Sequence, residues 1–339
     1  MRNVKPIPPL RWGVLGAAKI AVEKVIPAMQ RGEYTQVAAI ASRDVAKAEA
    51  AARRHGIPKA YGSYEALIAD PDIDAIYNPL PNHLHLPWTR AAAEAGKHVL
   101  CEKPIGLSAA EAREFLALRE RTGVYVQEAF MVWTHPQWRK LVEWCRSGAL
   151  GTVRSYVGAF SYYNDNPANI RHVREWGGGG VLDIGCYLIL TSRMVFGEEP
   201  RRVCALIDRD PVYGVDTLAS IMLDYPSGQA IGMCSTRVTP HQRVQVFGTT
   251  SRAEIEIPFN APNDRPCHLW IDDGRDVFGS GRRDEPVETC DQYTVQGDLF
   301  SKAILDRTPQ PFPLEMSVRN MEIIDAVFRS AETGSWIAV

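Results

Sequence analysis

The sequence predicts a two-part α/β protein. Residues 1–129 read as a doubly wound parallel sheet, and residues 130–339 as an α+β domain with an open, largely antiparallel sheet. Three observations carry this reading. The chain has 339 residues, about two domains at roughly 150 residues each. From residue 11 to about 129, short apolar runs alternate with helical patterns, the grammar of right-handed βαβ units. After residue 130 the alternation stops, and strand runs with turn signals are flanked by helices.

The elements follow in order. Residues 11–15 (RWGVL) read as a strand and 18–30 as a helix. Residues 37–42 (VAAIAS) form a second strand, followed by an Ala/Arg/Lys-rich helix over 44–55. A short helix covers 63–70, with Ser63 as its cap. Residues 75–78 are a strand, 86–95 a helix closed by Gly96, and 98–102 a strand. A helix over 108–121 opens on the capping-box pattern Ser108-x-x-Glu111 and stops before Gly123. A strand over 124–128 completes the first part. Beyond it, a helix over 137–147 ends at Gly148, and 153–160 is a strand. A polar segment, 164–176, leads through four glycines to an apolar helix over 182–196. Strands with turn signals then fill 202–290, and helices over 296–306 and 314–332 close the chain.

Composition excludes several classes. Net charge is −2, so there is no broad electrostatic footprint for nucleic acid or an anionic membrane. No run approaches the ~18 uninterrupted apolar residues of a membrane-spanning helix. The first ten residues are polar and proline-rich, without an apolar export segment. Seven scattered cysteines without a C-x-x-C imply neither a disulfide framework nor a metal site. These features lead to the expectation of a cytoplasmic protein with reduced thiols and no bound metal.

The first strand runs directly into Gly16-Ala17-Ala18-Lys19-Ile20-Ala21 and a helix, the context that a dinucleotide-binding turn requires. Gly16 permits the tight turn, and the helix start offers N–H groups and a positive dipole end to a pyrophosphate. Ala18 stands where glycine is the usual second fingerprint residue. An NAD-preferring fold ends its second strand on an acidic residue for the ribose hydroxyl. Here that strand ends Ser42-Arg43-Asp44. A hydroxyl and a guanidinium suit a 2′-phosphate, which favours NADP. Capping of the next helix by Ser42 or Asp44 is the competing role, and capping by Asp44 can coexist with phosphate binding.

Two further motifs carry chemistry. Glu102-Lys103-Pro104 places a lysine at the carboxyl end of a parallel strand, where such folds bind ligands. Gly178-Gly179-Gly180 leads to Asp183 and Tyr187, spaced to share a helix face. The glycines permit close approach to another backbone or to a cofactor.

Together with Asn78-Pro79-Leu80-Pro81-Asn82-His83-Leu84-His85, Glu128-Ala129-Phe130-Met131 and His135-Pro136-Gln137, these segments resemble the family of glucose–fructose oxidoreductase and inositol dehydrogenase. The resemblance spans almost the whole chain and is closest to the NADP-dependent branch of aldose dehydrogenases and dimeric dihydrodiol dehydrogenase. That branch carries tyrosine at the position of Tyr187. The resemblance implies a Rossmann domain with a cofactor site drawn from Gly16, Ala17, Ala18, Lys19, Ile20, Ser42, Arg43, Asn78, Leu80, Asn82, His83, Glu102 and Lys103. Arg171 and Trp176 would cover the cofactor. It also implies oxidation of an aldose at C1 to its lactone. Tyr187 would be the general acid/base, tuned by the Lys103 ammonium. Asp183 would orient the sugar or Lys103, and Tyr293 would reach the sugar.

Three readings remain open at this level: an aldose dehydrogenase, or an aldose–aldose oxidoreductase that keeps its NADP(H); a trans-dihydrodiol dehydrogenase; and an inactive NADP-sensing regulator. The resemblance further implies a homo-oligomer, at least a dimer, formed through the open sheet face. The proline-rich arm 1–9 would embrace a partner subunit or remain a free tail.

Overall fold

The computed structural model describes residues 8–339, so most of the proline-rich arm lies outside the described residues. Two compact units divide the chain. Of the described residues, the first comprises those up to 106, 110–131 and 291–317; the second comprises 107–109, 132–290 and 318–339.

The first unit is built on six parallel strands. β1 (Leu10–Leu15) leads into a π-helical turn, Ala21–Val25, that continues as α1 (Ile26–Met29). β2 (Thr35–Ala41), α2 (Val45–His55), β3 (Lys59–Tyr61), α3 (Tyr64–Ile68) and β4 (Ala75–Asn78) follow. α4 (His85–Glu94), β5 (His98–Cys101), α5 (Ala109–Thr122) and β6 (Val126–Glu128) complete the alternation. The strand order is β3-β2-β1-β4-β5-β6 with parallel pairing throughout. This is the dinucleotide-fold order, which reverses between β1 and β4 and opens a ligand crevice at their carboxyl ends.

β3 escaped the sequence reading because it has three residues and no apolar run. Contacts beyond its own stretch hold it: the Lys59 ammonium donates to Asp70 and Asp72, both at 2.8 Å. The Tyr61 hydroxyl donates to Asp70 at 2.8 Å.

The second unit opens with α6 (Pro136–Ser147). His135 caps it, its Nδ1 accepting from Gln137 N at 3.2 Å. β7 (Val153–Tyr163) runs three residues beyond its expected end, to Tyr163. The polar segment folds as two 3₁₀ turns, Ile170–His172 and Arg174–Trp176. A second π-helical turn, Val181–Gly185, opens α7 (Cys186–Phe196). Then come β8 (Arg202–Arg209), β9 (Asp216–Asp224), β10 (Gln229–Ser235), β11 (Arg237–Gly248), β12 (Arg252–Ile255), β13 (Cys267–Asp272) and β14 (Arg282–Val287). With β15 (Ile337–Ala338) they form a nine-stranded sheet, β14-β13-β12-β11-β7-β10-β9-β8-β15. Pairing is antiparallel except between β7 and β10.

α7 packs on one face of this sheet, where Gly158 and Gly232 make room for Leu188. Residues 174–196 have the length and mean hydropathy of a membrane-crossing segment, yet 89% of their apolar 18-residue window is buried inside the protein. The opposite sheet face exposes Val157, Ile231, Met222 and Leu206. None of the seven cysteines forms a disulfide.

The division differs from a single break near residue 130, since residues 107–109 count with the second unit. α8 (Gln292–Asp306) and the first turn of α9 (Leu314–Thr333) count with the first unit. Burial explains the return of α8. Phe300 and Ile304 join Trp12, Val14, Ile26 and Met29 in one apolar cluster. Trp12 Nε1 donates to Ser301 Oγ at 3.1 Å, and Asp298 accepts from the Glu33 and Tyr34 amides at 2.9 Å each.

Candidate active site

In the first unit the site residues gather at the carboxyl ends of β1, β2, β4 and β5. Gly16 adopts φ +81°, a left-handed conformation that favours glycine. A Cβ there would lie 3.0 Å from the Leu80 side chain, so Leu80 packs directly over the turn. The first intrahelical bond runs from Val22 N to Ala18 O at 3.0 Å. Ala17 and Ala18 carry no side-chain acceptor to cap this start, which leaves its N–H groups available to an anion. Ile20 packs inward against the apolar cluster. Lys19 projects outward, 84% exposed, with its ammonium 3.9 Å from Glu23.

At the end of β2 both candidate roles are visible. Asp44 caps α2, accepting from Ala46 N at 3.1 Å. Ser42 Oγ accepts from Asp44 N at 3.2 Å, which leaves its own proton to donate. Arg43 is exposed. It acts electrostatically on Tyr64 and on His83, whose imidazole is pushed down by burial and then by this cation.

Asn78 corrects the sequence reading. It is fully buried, and its amide is spent inside the loop. Its Nδ2 donates to His85 O at 3.2 Å and Thr89 Oγ1 at 3.3 Å, and its Oδ1 accepts from Leu80 N at 3.3 Å. Asn78 therefore shapes the loop that carries Leu80, Asn82 and His83, and its side chain is not offered to a ligand.

Lys103 follows β5, and the Lys103–Pro104 peptide is cis. Glu102 beside it accepts from the Tyr77 hydroxyl at 2.7 Å and from Lys103 N at 3.3 Å. Tyr293, from α8, lies in the same field. Burial raises its phenol, and the Glu102 charge raises it further. Tyr293 thus belongs to the lysine-bearing unit.

The second unit carries the other candidates. Tyr187 is 4% exposed, with its ring 5.9 Å from Phe160 and 5.4 Å from Phe259. Asp183 sits in the π-helical turn, a distortion that often marks functional helices.

Arg171 pairs with Asp183, its guanidinium gripping that carboxylate with Nε to Oδ2 at 2.7 Å and Nη2 to Oδ1 at 2.9 Å. Tyr162, absent from the sequence reading, donates its hydroxyl to Asp183 Oδ2 at 2.5 Å. The Asp183 charge holds the Arg171 guanidinium firmly protonated, and burial with that charge raises the Tyr162 phenol. Trp176 is 40% exposed in the 3₁₀ turn just before the glycines.

The glycines serve this arrangement. A Cβ on Gly178 would lie 2.5 Å from the Arg171 carbonyl oxygen. Gly179, at φ +112°, would bring one within 2.0 Å of Asp216 Oδ1. Gly178 thus faces a backbone carbonyl and Gly179 a side-chain carboxylate. Asp216 also accepts from Val181 N at 2.6 Å, and burial raises its carboxyl. No sequence pattern singled out Asp216, because it lies 35 residues from its partner.

Comparison with known proteins covers both parts of the chain. Residues 10–130 match an oxidoreductase family model with an NAD-binding Rossmann fold. Residues 138–254 match the GFO/IDH/MocA C-terminal domain. An uncharacterized oxidoreductase of Rhizobium meliloti is 45% identical over 331 residues, covering 97% of this chain and 99% of the relative. D-xylose 1-dehydrogenase (NADP(+)) 2 of Haloferax volcanii is 41% identical over 329 residues, covering 96% and 98%. The crystal structure of aldose-aldose oxidoreductase from Caulobacter crescentus, complexed with glycerol, superposes with a TM-score of 0.90 at 26% identity, covering 98% of this chain and all of that one. The chain is a member of the GFO/IDH/MocA oxidoreductase family.

Proposed function

We propose that the protein is an NADP-dependent aldose 1-dehydrogenase that converts a sugar such as D-xylose to its lactone. The observation that carries this reading is its 41% identity, across both units, to an NADP-dependent D-xylose dehydrogenase. The first unit fits the cofactor. Its helix start after Gly16 is uncapped, and β2 ends on Ser42-Arg43 where an NAD-preferring fold would place a carboxylate. Gly16 to Ile20 would hold the pyrophosphate, and Ser42 and Arg43 the 2′-phosphate. Leu80, Asn82, His83 and Glu102 would flank the nicotinamide, which supplies the hydride acceptor when bound.

Oxidation at C1 also releases a hydroxyl proton. Tyr187 takes that proton, and the Lys103 ammonium binds the reacting oxygen and favours the phenolate. Asp183, steadied by Arg171 and Tyr162, orients the sugar. Tyr293 is assigned to the same sugar, on the side of Lys103. The exposed apolar sheet face seats a second copy of the chain, and the reduced cysteines suit the cytoplasm.

Purified protein would first be examined for copurifying nicotinamide. D-xylose, other aldoses, polyols and aromatic dihydrodiols would then be added with and without NADP. NADP-dependent turnover confined to aldoses supports the reading. Cycling of a retained nucleotide between two sugars identifies the aldose–aldose variant. Turnover of dihydrodiols alone, or NADP binding without any turnover, overturns it.

A further inference from the structure

The turn that presents Lys103 is gripped on two consecutive backbone groups by residues distant in sequence. The Pro104 carbonyl oxygen lies 2.8 Å from His85 Nδ1. The next amide, Ile105 N, donates to Glu128 Oε1 at 2.8 Å. His85 begins α4 and Glu128 ends β6, so the turn after β5 is held from two separate elements. His85 is fully buried and Glu128 is 1% exposed. The other ring nitrogen of His85 lies 2.7 Å from the Leu80 carbonyl oxygen. A neutral ring carries one proton, so it donates to one of these two carbonyls; with that proton on Nδ1 it holds the Pro104 carbonyl.

We propose that His85 and Glu128 are positioning residues that set the direction of Lys103 by clamping the Pro104 carbonyl and the Ile105 amide.

The charge states suit this purpose. Burial pushes the His85 imidazole down to about 4, against the two carbonyls that favour its proton and with the Lys103 and His83 charges. Burial pushes the Glu128 carboxyl up to about 8, with the Ser317 hydroxyl and Ile105 amide opposing and Glu102 and Lys103 in the same field. Near neutral pH both clamps are uncharged. They fix the backbone after Lys103 without placing a second full charge against its ammonium. A reacting group displaced by about 1 Å can lose on the order of a hundredfold in rate, so anchoring this turn is as consequential as the lysine itself.

The inference rests on the catalytic role given to Lys103 above, and the test separates the two. Glu128→Leu removes the acceptor for Ile105 N, whereas Glu128→Gln keeps it. His85→Asn keeps a donor where Nδ1 stands, and His85→Gln keeps one where Nε2 stands. Three quantities are measured: amide hydrogen exchange at Ile105, the dissociation constant for NADPH, and kcat for D-xylose oxidation. Glu128→Leu is expected to speed Ile105 exchange by about tenfold or more and to lower kcat by about thirtyfold or more, with NADPH affinity within about threefold of the parent. Glu128→Gln and His85→Asn should stay within about threefold of the parent in all three. His85→Gln should follow the leucine variant in kcat.

Parental exchange and parental kcat in Glu128→Leu overturn the proposal. If that variant does not fold, equal kcat in His85→Asn and His85→Gln overturns it. Lys103→Met is the control. If it turns over normally while Glu128→Leu loosens Ile105, the catalytic reading of Lys103 fails and the clamp stands.

Discussion

Both units use the same local device for different ends. Each has a left-handed glycine, then a π-helical turn, then a helix. In the first unit the helix that follows Gly16 begins on alanines that cannot cap it. In the second, the helix that follows Gly179 is capped by the chain's own buried carboxylate, Asp216. An uncapped, positive helix end suits a phosphate brought from outside. A helix end already neutralised by a carboxylate has no such use, and the second unit's turn serves instead to bring Asp183 against Arg171 and Tyr162. Glycine next to a helix start is therefore not in itself a nucleotide signature. What faces the helix end decides.

The largest expected effect separates the two helices by function. Tyr187→Phe should lower kcat by about a thousandfold, with NADPH affinity within about threefold of the parent, since the residues proposed for the two phosphate groups, Gly16 to Ile20 and Ser42-Arg43, lie in the first unit. Steady-state kinetics and a fluorescence titration read both numbers. Parental turnover would remove Tyr187 from the chemistry.

The glycines come next. Gly179→Ala should destabilise the fold by about 3 kcal/mol or more, because the added Cβ meets a buried carboxylate and φ is left-handed. Gly16→Ala should cost about 1–2 kcal/mol, since its Cβ meets most closely the flexible end of the Leu80 side chain, at 3.0 Å, but it should weaken NADPH binding. Denaturant melts of the two variants, with a cofactor titration, compare them directly. Equal destabilisation would break the contrast drawn here.

Arg43→Ala tests the first unit alone. It should weaken NADP binding by about tenfold to thirtyfold, the worth of a charge-assisted phosphate contact, and leave NAD binding unchanged. A loss equal for both nucleotides would return Arg43 to solvent.

A further effect concerns pH. The Glu128 carboxyl is raised to about 8 in the folded protein, from an ordinary value near 4.5. The folded state then holds more protons than the unfolded chain in that interval, so this group's contribution to stability is lost as pH rises from about 4.5 to about 8. Glu128→Gln should flatten that slope in melts across the interval. An unchanged slope would show that Glu128 titrates normally.

Much of the first unit was legible before folding. Its strands are apolar runs between turn signals, and such signals are local. The Gly16 turn, the Ser42-Arg43 pair and Lys103 at the end of β5 were all found that way. β3 was missed because three residues with a lysine carry no apolar signature, and pairing with β2 alone makes them a strand. The pairing of Arg171 with Asp183 was not legible, since nothing in the local sequence of Arg171 names that carboxylate. Tyr162 and Asp216 were missed for the same reason.

The sequence by itself determined the alternation that yields a parallel sheet, the later shift to antiparallel strands, and the chemical types at the strand ends. These follow from periodicity, turn residues and motifs a few residues long. Tertiary structure alone decided which charges meet. It paired Arg171 with Asp183, set Asp216 on the helix of Tyr187, returned α8 to the first unit, and brought His85 and Glu128 onto the turn after Lys103. The reason is physical. Local conformation is governed by neighbours along the chain, whereas buried polar groups must find partners wherever packing brings them.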